Sequence, residues 1–154
     1  MPRAGSLRGV RAVVQRVTQA SVTSNGVEVG SIGPGLCVLV GVTHDDTAAA
    51  AVKLAEKLWF LRIMPDDAGV MNRSVADTSR ALLVVSQFTL YGDTSGGRRP
   101  SWIAAAKPDH AEPLIDLVVA TLRAFGATVA TGCFRTHMTV SLVNDGPATV
   151  LIET

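Results

Sequence analysis

The sequence of 154 residues is poor in the features that mark several protein classes. It holds two cysteines, Cys37 and Cys133, both in apolar strand-like stretches, so we expect buried free thiols and no disulfide. Its apolar runs, such as residues 36–42, are far shorter than a membrane span, and its first residues lack the apolar core of a signal peptide. These absences favour a globular cytoplasmic enzyme that has no membrane partner.

Charge of one sign is also scarce, because the formal net charge is only +1. Proteins that hold long nucleic acids over many phosphates usually have a stronger basic bias. Any RNA contact should therefore be small and local. Arg98 and Arg99 form the main basic pair, in a glycine-rich segment that is equally typical of a solvated loop.

Motifs for metals and nucleotides are missing as well. The three histidines, His44, His110 and His137, lie far apart, and none has the spacing of a metal ligand. The sequence contains no Walker loop, no G-x-G-x-x-G and no G-x-S-x-G. We therefore expect no metal and no cofactor.

The hydrophobic pattern predicts a mixed α/β domain. Asn25-Gly26 separates two alternating runs, which is the strongest short hairpin signal. Residues 36–42 and 81–90 have the apolar character of buried strands. Helices are predicted after residues 44–47 and from Pro108 or Asp109. Further strands are predicted at residues 128–133, 137–143 and 149–152, with a turn at 144–147. Residues 1–9 form a predicted flexible extension, and residues 10–154 a single domain.

Besides the Arg98-Arg99 loop, two segments are candidates for chemistry, and each of the three has a purely structural alternative. The first, residues 86–91 (SQFTLY), ends a predicted buried strand, where catalytic groups gather in α/β proteins. Its Ser and Thr are equally consistent with capping of neighbouring backbone. The second, residues 144–147 (NDGP), is consistent with a simple turn. Composition and spacing alone lead no further than a soluble mixed α/β domain.

Taken together, the local motifs resemble those of the D-aminoacyl-tRNA deacylase family. They occur in family order and span nearly the whole chain: residues 13–17 (VVQRV), 32–36 (IGPGL), 39–42 (LVGV), 86–91 (SQFTLY), 97–101 (GRRPS) and 143–147 (VNDGP). The resemblance implies a three-layer β/β/α fold with mixed sheets and two main helices. It also implies a homodimer whose active site lies at the subunit interface.

The resemblance further implies the site residues. Gly146-Pro147 would be cis and reach into the partner's pocket, where it excludes L-aminoacyl groups by collision. The implied catalytic set is Ser86, Gln87, Phe88 and Thr89, with the backbone near Phe88 as oxyanion donor. The implied substrate-binding set is Gly146, Pro147, Arg16, Asn144, Phe134 and Met138. Thr89 is expected to position groups rather than attack, because no His or Lys base adjoins it.

The implied activity is hydrolysis of the ester of D-aminoacyl-tRNA, bound by its terminal adenosine, and of glycyl-tRNA mischarged on tRNA-Ala. Two positions depart from the family pattern. Arg135 stands in Phe134-Arg135-Thr136, where the family commonly has Phe-Gly-Ala, and Ala148 replaces a larger apolar residue.

Two other functions remain as alternatives. A general esterase or thioesterase would use Thr89 as its nucleophile and would cleave small esters. A non-catalytic RNA-binding module would bind tRNA without turnover, although the near-neutral charge argues against it.

Overall fold

The computed structural model describes residues 9–154. The extension predicted for residues 1–9 thus lies outside the described residues, apart from Gly9. The strands are β1 (Arg11–Ser24), β2 (Val27–Ile32), β3 (Gly35–Gly41), β4 (Met64–Pro65), β5 (Met71–Arg73), β6 (Ala81–Ser86), β7 (Val129–Thr131) and β8 (Met138–Glu153). The helices are α1 (Ala48–Phe60), α2 (Val75–Thr78), α3 (Pro108–Ala124) and a 3₁₀ turn at Phe88–Tyr91.

Turn and cap residues set the boundaries of the first elements. Asn25 and Gly26 both have positive φ, 51° and 83°, and join β1 to β2 as the predicted hairpin. The side chain of Thr47 accepts a hydrogen bond from the N–H of Ala50 and begins α1. Pro108 occupies the first turn of α3, where its missing N–H costs nothing. The sequence thus predicted both main helices.

One mixed sheet organises the domain, in the order β2-β1-β3-β6-β7, and β8 pairs along β1. β3 pairs in parallel with β6, and β6 with β7, and the connections between these strands contain α1 and α3. β3 is central and largely buried, as its continuous apolar run predicted. The site described below lies where β6 ends.

The alternating side chains of the central strands separate two cores. On β3, Leu36, Val38 and Val40 pack into the core beneath the helices, whereas Cys37 and Leu39 face the opposite core. The second core is closed by residues of β1, β2 and β8, because the long β1–β8 pair folds over the sheet. The result is the predicted three-layer β/β/α arrangement. No helix within residues 9–154 has the length and apolar character needed to cross a membrane.

The structure corrects three expectations. The strand predicted for residues 81–90 ends at Ser86, because the chain enters the 3₁₀ turn at Phe88–Tyr91. Residues 144–147 are not a turn between two strands, because β8 runs through them from Met138 to Glu153 with an irregular register opposite Val17. Cys133 is exposed rather than buried, since it follows the short β7 in a loop, while Cys37 is buried. Both thiols are free.

Candidate active site

A cleft of about 660 Å³ opens at the carboxyl end of β6. It brings together five of the ten residues that the sequence proposed for the site: Ser86, Gln87, Phe88, Phe134 and Met138. Residues of α3 and of the segment that precedes it complete its wall. Two distant predicted motifs, SQF and the segment that leads into β8, therefore meet in one place.

The chain changes conformation at Gln87, and this change exposes backbone donors. The N–H of Gln87 still donates to the carbonyl of Val40, at 2.7 Å, and the 3₁₀ turn begins at the next residue. The N–H groups of Phe88 and Thr89 have no backbone acceptor within residues 9–154. Donors that are left free at the start of a helical turn suit a developing negative charge on oxygen.

Thr89 is held by its neighbour and does not line the cleft. Its hydroxyl oxygen accepts a hydrogen bond from the side-chain amide of Gln87. No histidine, lysine or carboxylate in the described residues hydrogen-bonds to this hydroxyl, so nothing activates it as a nucleophile. The geometry agrees with a positioning role.

Phe134 and Met138 form an apolar wall opposite the SQF segment. Gly132 makes room for Met138, because a Cβ atom at position 132 would lie 2.6 Å from the Met138 sulfur. Both side chains are partly exposed towards the cleft. They offer an aromatic ring and a polarizable thioether to a flat ligand.

The cleft lining also contains Arg135, noted from the sequence as a departure from the family pattern, and two residues that the sequence had not placed at the site, Trp102 and His137. The ring of Trp102 meets that of Phe88 edge to face at 5.7 Å, and the two rings are 44% and 56% exposed. Trp102 directly follows the GRRPS motif, which was the one available signal for it. Within the described residues the cleft lining contains no carboxylate, and its permanently charged side chain is that of Arg135.

Tyr91 is the last residue of the 3₁₀ turn, and its buried side chain holds that end of the turn in place. It is fully buried, its hydroxyl donates to the carbonyl of Gly9, and the guanidinium of Arg11 lies 4.9 Å from its ring centroid. Burial raises the pKa of Tyr91 to about 12. The phenol therefore stays neutral and acts as an anchor for the turn.

The other predicted substrate-binding residues, Arg16, Asn144, Gly146 and Pro147, lie together in a second cluster, and we call residues 144–147 the corner. The Gly146-Pro147 peptide bond is cis, and both residues are exposed. Arg16 donates through Nε to the Asp145 carbonyl at 3.1 Å and through a terminal nitrogen to the Ile63 carbonyl at 2.7 Å. The Arg16 guanidinium also lies 3.2 Å from the Asp145 carboxylate.

The side chain of Asn144, within the corner, also holds this backbone in place. Its amide nitrogen donates to the Arg16 carbonyl at 2.9 Å and to the Ala148 carbonyl at 3.3 Å. These bonds replace the regular ladder where the register of β1 and β8 shifts. Ala148 itself is buried in the main core. The corner is therefore a constrained piece of backbone on an exposed strand.

The corner and the cleft are far apart within one chain. The corner lies beside Arg16 and Val17, which pair with Leu36 and Gly35, whereas Ser86 pairs with Val40 at the other end of β3. Three strand spacings and four residues along β3 separate them by roughly 20 Å. No corner residue lines the cleft. The fold thus divides most of the predicted site residues between two separate clusters.

Comparison with known proteins assigns the family. The family model described as D-Tyr-tRNA(Tyr) deacylase matches residues 13–153. A D-aminoacyl-tRNA deacylase of Streptomyces coelicolor is 62% identical over 94% of this chain and 99% of its own length. One from Mycolicibacterium smegmatis is 56% identical over the same shares of the two chains. The class is thus that of aminoacyl-tRNA ester hydrolases. Within it, the chain belongs to the D-Tyr-tRNA(Tyr) deacylase family.

Solved structures support the same fold. A c-Myc DNA unwinding element binding protein is 36% identical and superposes with a TM-score of 0.87, over 94% of this chain and 98% of that chain. A probable eukaryotic D-amino acid tRNA deacylase has a TM-score of 0.82 over 94% and 99% of the two chains. At 17% identity, the second match concerns the fold alone.

Metal ligands are not grouped in the described part of the chain. No set of three or more histidine, cysteine or acidic residues within residues 9–154 is arranged to hold a metal ion. The donors available at the cleft are therefore backbone N–H groups and polar side chains.

Proposed function

We propose that the protein hydrolyses the ester between a D-amino acid and the terminal adenosine of tRNA, in the cytoplasm. The observation that carries the proposal is the meeting of Ser86, Gln87 and Phe88 with Phe134 and Met138 in one cleft. The apolar wall suits the flat adenine, and the SQF side suits the polar ester and ribose. The names of the relatives give the same substrate class.

The chemistry needs few side chains. Water attacks the ester carbonyl carbon, the bond to the ribose oxygen breaks, and that oxygen leaves as a hydroxyl after taking a proton. The free N–H of Phe88 donates to the carbonyl oxygen as its charge develops. Ser86 and Gln87 orient the ester, and the neighbouring 2′-hydroxyl of the adenosine helps to activate the water.

Chirality is selected by the corner of a second subunit in a homodimer. The corner is exposed, is held by Arg16 and Asn144, and lies too far from its own cleft to act there. Val143 and Leu151, on the same strand, are 47% and 73% exposed, so β8 has apolar side chains that a second subunit can cover. A two-fold dimer gives each cleft one corner from its neighbour.

Selection by the corner is a matter of exclusion. In this arrangement the corner occupies the space where the side chain of an L-amino acid would lie, and the side chain of a D-amino acid points away from it. Glycine has no side chain to collide, so glycyl-tRNA mischarged on tRNA-Ala is also hydrolysed. This point is tested by comparing the hydrolysis of Gly-tRNA-Ala with that of L-Ala-tRNA-Ala. If both esters survive equally, exclusion by the volume of the side chain is contradicted.

A first experiment tests the activity and its chirality. Purified protein is incubated with D-Tyr-tRNA and with L-Tyr-tRNA, and the remaining ester is measured over time. We expect rapid loss of the D-ester and survival of the L-ester. Equal hydrolysis of both would refute chiral selection, and hydrolysis of neither would refute the proposed activity.

A second experiment tests whether the corner acts across subunits. Pro147→Gly removes the rigid ring from the corner but leaves the cleft intact. Ser86→Trp fills the cleft but leaves the corner intact. The Pro147→Gly homodimer should hydrolyse both D- and L-Tyr-tRNA, and the Ser86→Trp homodimer should hydrolyse neither.

Mixed dimers then show whether the corner acts on the cleft of its own subunit or on that of its partner. After exchange with excess Ser86→Trp subunits, each intact cleft of a Pro147→Gly subunit faces an intact corner from its partner. Rejection of L-Tyr-tRNA should therefore return while hydrolysis of D-Tyr-tRNA persists. Continued hydrolysis of the L-ester in confirmed mixed dimers would show that the corner does not act across the interface.

A further inference from the structure

Arg135 occupies an unusual place at the edge of the cleft. It lies between β7 and β8, directly after Phe134, and its exposed side chain contributes to the cleft lining. Its φ of 62° is in the left-handed region, which costs a residue with a Cβ atom about 1 kcal/mol relative to glycine. Glycine would adopt this backbone more easily, so the chain bears a backbone cost at Arg135 that glycine would avoid.

The surroundings of Arg135 leave its charge available. The cleft lining contains no aspartate or glutamate, and Arg135 takes part in no ion pair within residues 9–154. The other titratable residue of the lining is His137, two residues further along. The lining of this cleft therefore carries positive charge and no acidic side chain, whereas Glu112 and Asp116 line a neighbouring pocket, in a protein whose formal net charge is only +1. A local cationic edge suits one anionic group rather than a long polyanion.

We propose that Arg135 binds the phosphate on the 5′ side of the terminal adenosine, that is, the last phosphodiester of the tRNA. The inference rests on the proposed function, which sets the adenine against Phe134 and the ester beside Phe88. The 5′ side of the ribose then leads out of the cleft, and Arg135, next to Phe134, is the arginine of the cleft lining. A guanidinium donates two parallel hydrogen bonds to a phosphate, which fixes the ribose as well as attracting it.

The test compares two small substrates that differ only in this phosphate: D-tyrosyl-adenosine and its 5′-methyl-phosphate derivative, with D-Tyr-tRNA as the full substrate. The main variant is Arg135→Gly, because glycine favours a φ of 62° and the fold is kept. Arg135→Lys retains the charge. Lys53→Ala, on the exposed face of α1, removes the same charge away from the cleft and is the control.

For Arg135→Gly we expect the KM for D-Tyr-tRNA and for the phosphorylated ester to rise roughly fivefold to tenfold, the effect of one exposed charge-assisted contact. The kcat and the KM for D-tyrosyl-adenosine should change less than about twofold. The slope of log(kcat/KM) against log[salt] for D-Tyr-tRNA should become less negative by about 0.7, the contribution of one phosphate on a single strand. Arg135→Lys should retain most of the slope, and Lys53→Ala all of it.

Two results would overturn the proposal. One is an equal change with the phosphorylated and unphosphorylated esters, which would assign Arg135 to the base, the ester or the loop. The other is an unchanged KM and salt slope for D-Tyr-tRNA in Arg135→Gly. Failure of the proposed function is a separate outcome, because the wild-type protein would then hydrolyse none of the three D-esters.

Discussion

Arg16 offers the sharpest test of how the corner is held. Its side chain is buried, and its guanidinium donates to two backbone carbonyls, those of Ile63 at 2.7 Å and Asp145 at 3.1 Å. Arg16→Met keeps the volume of the stem but removes both donors. The Ile63 carbonyl then loses a partner in a buried setting, which costs about 1.5–3 kcal/mol for a bond from a charged group.

The contribution of Asp145 is smaller. Its side chain is 42% exposed, so its ion pair with Arg16 adds at most about 1 kcal/mol. We therefore expect Arg16→Met to lower the free energy of unfolding by about 3 kcal/mol. Arg16→Lys should fall between the two proteins, because one ammonium group cannot reproduce the guanidinium fork that spans two carbonyls.

The measurement is urea unfolding followed by circular dichroism at one fixed protein concentration, since association would otherwise shift the midpoint. Arg123→Met is the matched control: Arg123 also donates to a carbonyl, that of Val129 at 2.9 Å, but it is exposed at the end of α3. The control should lose less than about 1 kcal/mol. The ratio of D- to L-Tyr-tRNA hydrolysis should fall in Arg16→Met and stay unchanged in Arg123→Met. Similar losses of unfolding free energy in the two variants would refute the conclusion that Arg16 holds the corner in place.

Three further predictions concern groups around the two clusters. Thr89→Ala should lower kcat by less than about tenfold, because the Thr89 hydroxyl accepts a hydrogen bond from Gln87 and has no neighbouring base to activate it. The general-esterase alternative instead requires complete loss of turnover in this variant. In the native protein at pH 8, one thiol per chain should react with a disulfide reagent, because Cys133 is exposed whereas burial raises the pKa of Cys37 to about 11. Rapid reaction of both thiols would contradict the burial of Cys37. Gly35→Ala should prevent folding or destabilise the protein severely, because the new Cβ would lie 1.8 Å from the Ala81 carbonyl oxygen; a normal melting temperature would refute this packing.

Much of the fold was predictable because local signals agree with the tertiary structure. Asn25-Gly26 has the positive φ values of a tight hairpin, Thr47 caps α1, and Pro108 begins α3. Each of these residues acts on its immediate neighbours, so a sequence pattern is enough to identify it. The continuous apolar run of β3 likewise reflects burial on both faces.

The path of β8 was not predictable in the same way. Asn144 and Gly146-Pro147 have the local chemistry of a turn, yet the strand continues through them. What keeps the pairing is long-range: Arg16 and Asn144 exchange hydrogen bonds with backbone groups on each other's strands. A pattern confined to one segment does not contain a partner 128 residues away.

The cleft shows the same limit. SQFT was recognisable as a motif, but Trp102 and Arg135 reach the cleft from segments with no periodic signal of their own. The backbone N–H of Phe88 is set free by a change from strand to 3₁₀ turn, and no residue type encodes that change by itself. The family resemblance proposed residues for the site, and the structure was needed to find the residues that lie beside them.

In the proposed function the two clusters have different physical requirements. A cleft that stabilises developing charge needs unpartnered donors, and these arise where a strand ends. A corner that rejects by collision needs the opposite: a backbone held in place by side-chain hydrogen bonds on both sides, so that it does not yield to an L-side chain. Changes at the cleft should therefore alter the rate for every accepted substrate, whereas changes at Arg16 or Asn144 should alter which substrates are accepted. A variant at Arg16 that slowed D-Tyr-tRNA hydrolysis without admitting L-Tyr-tRNA would contradict this division.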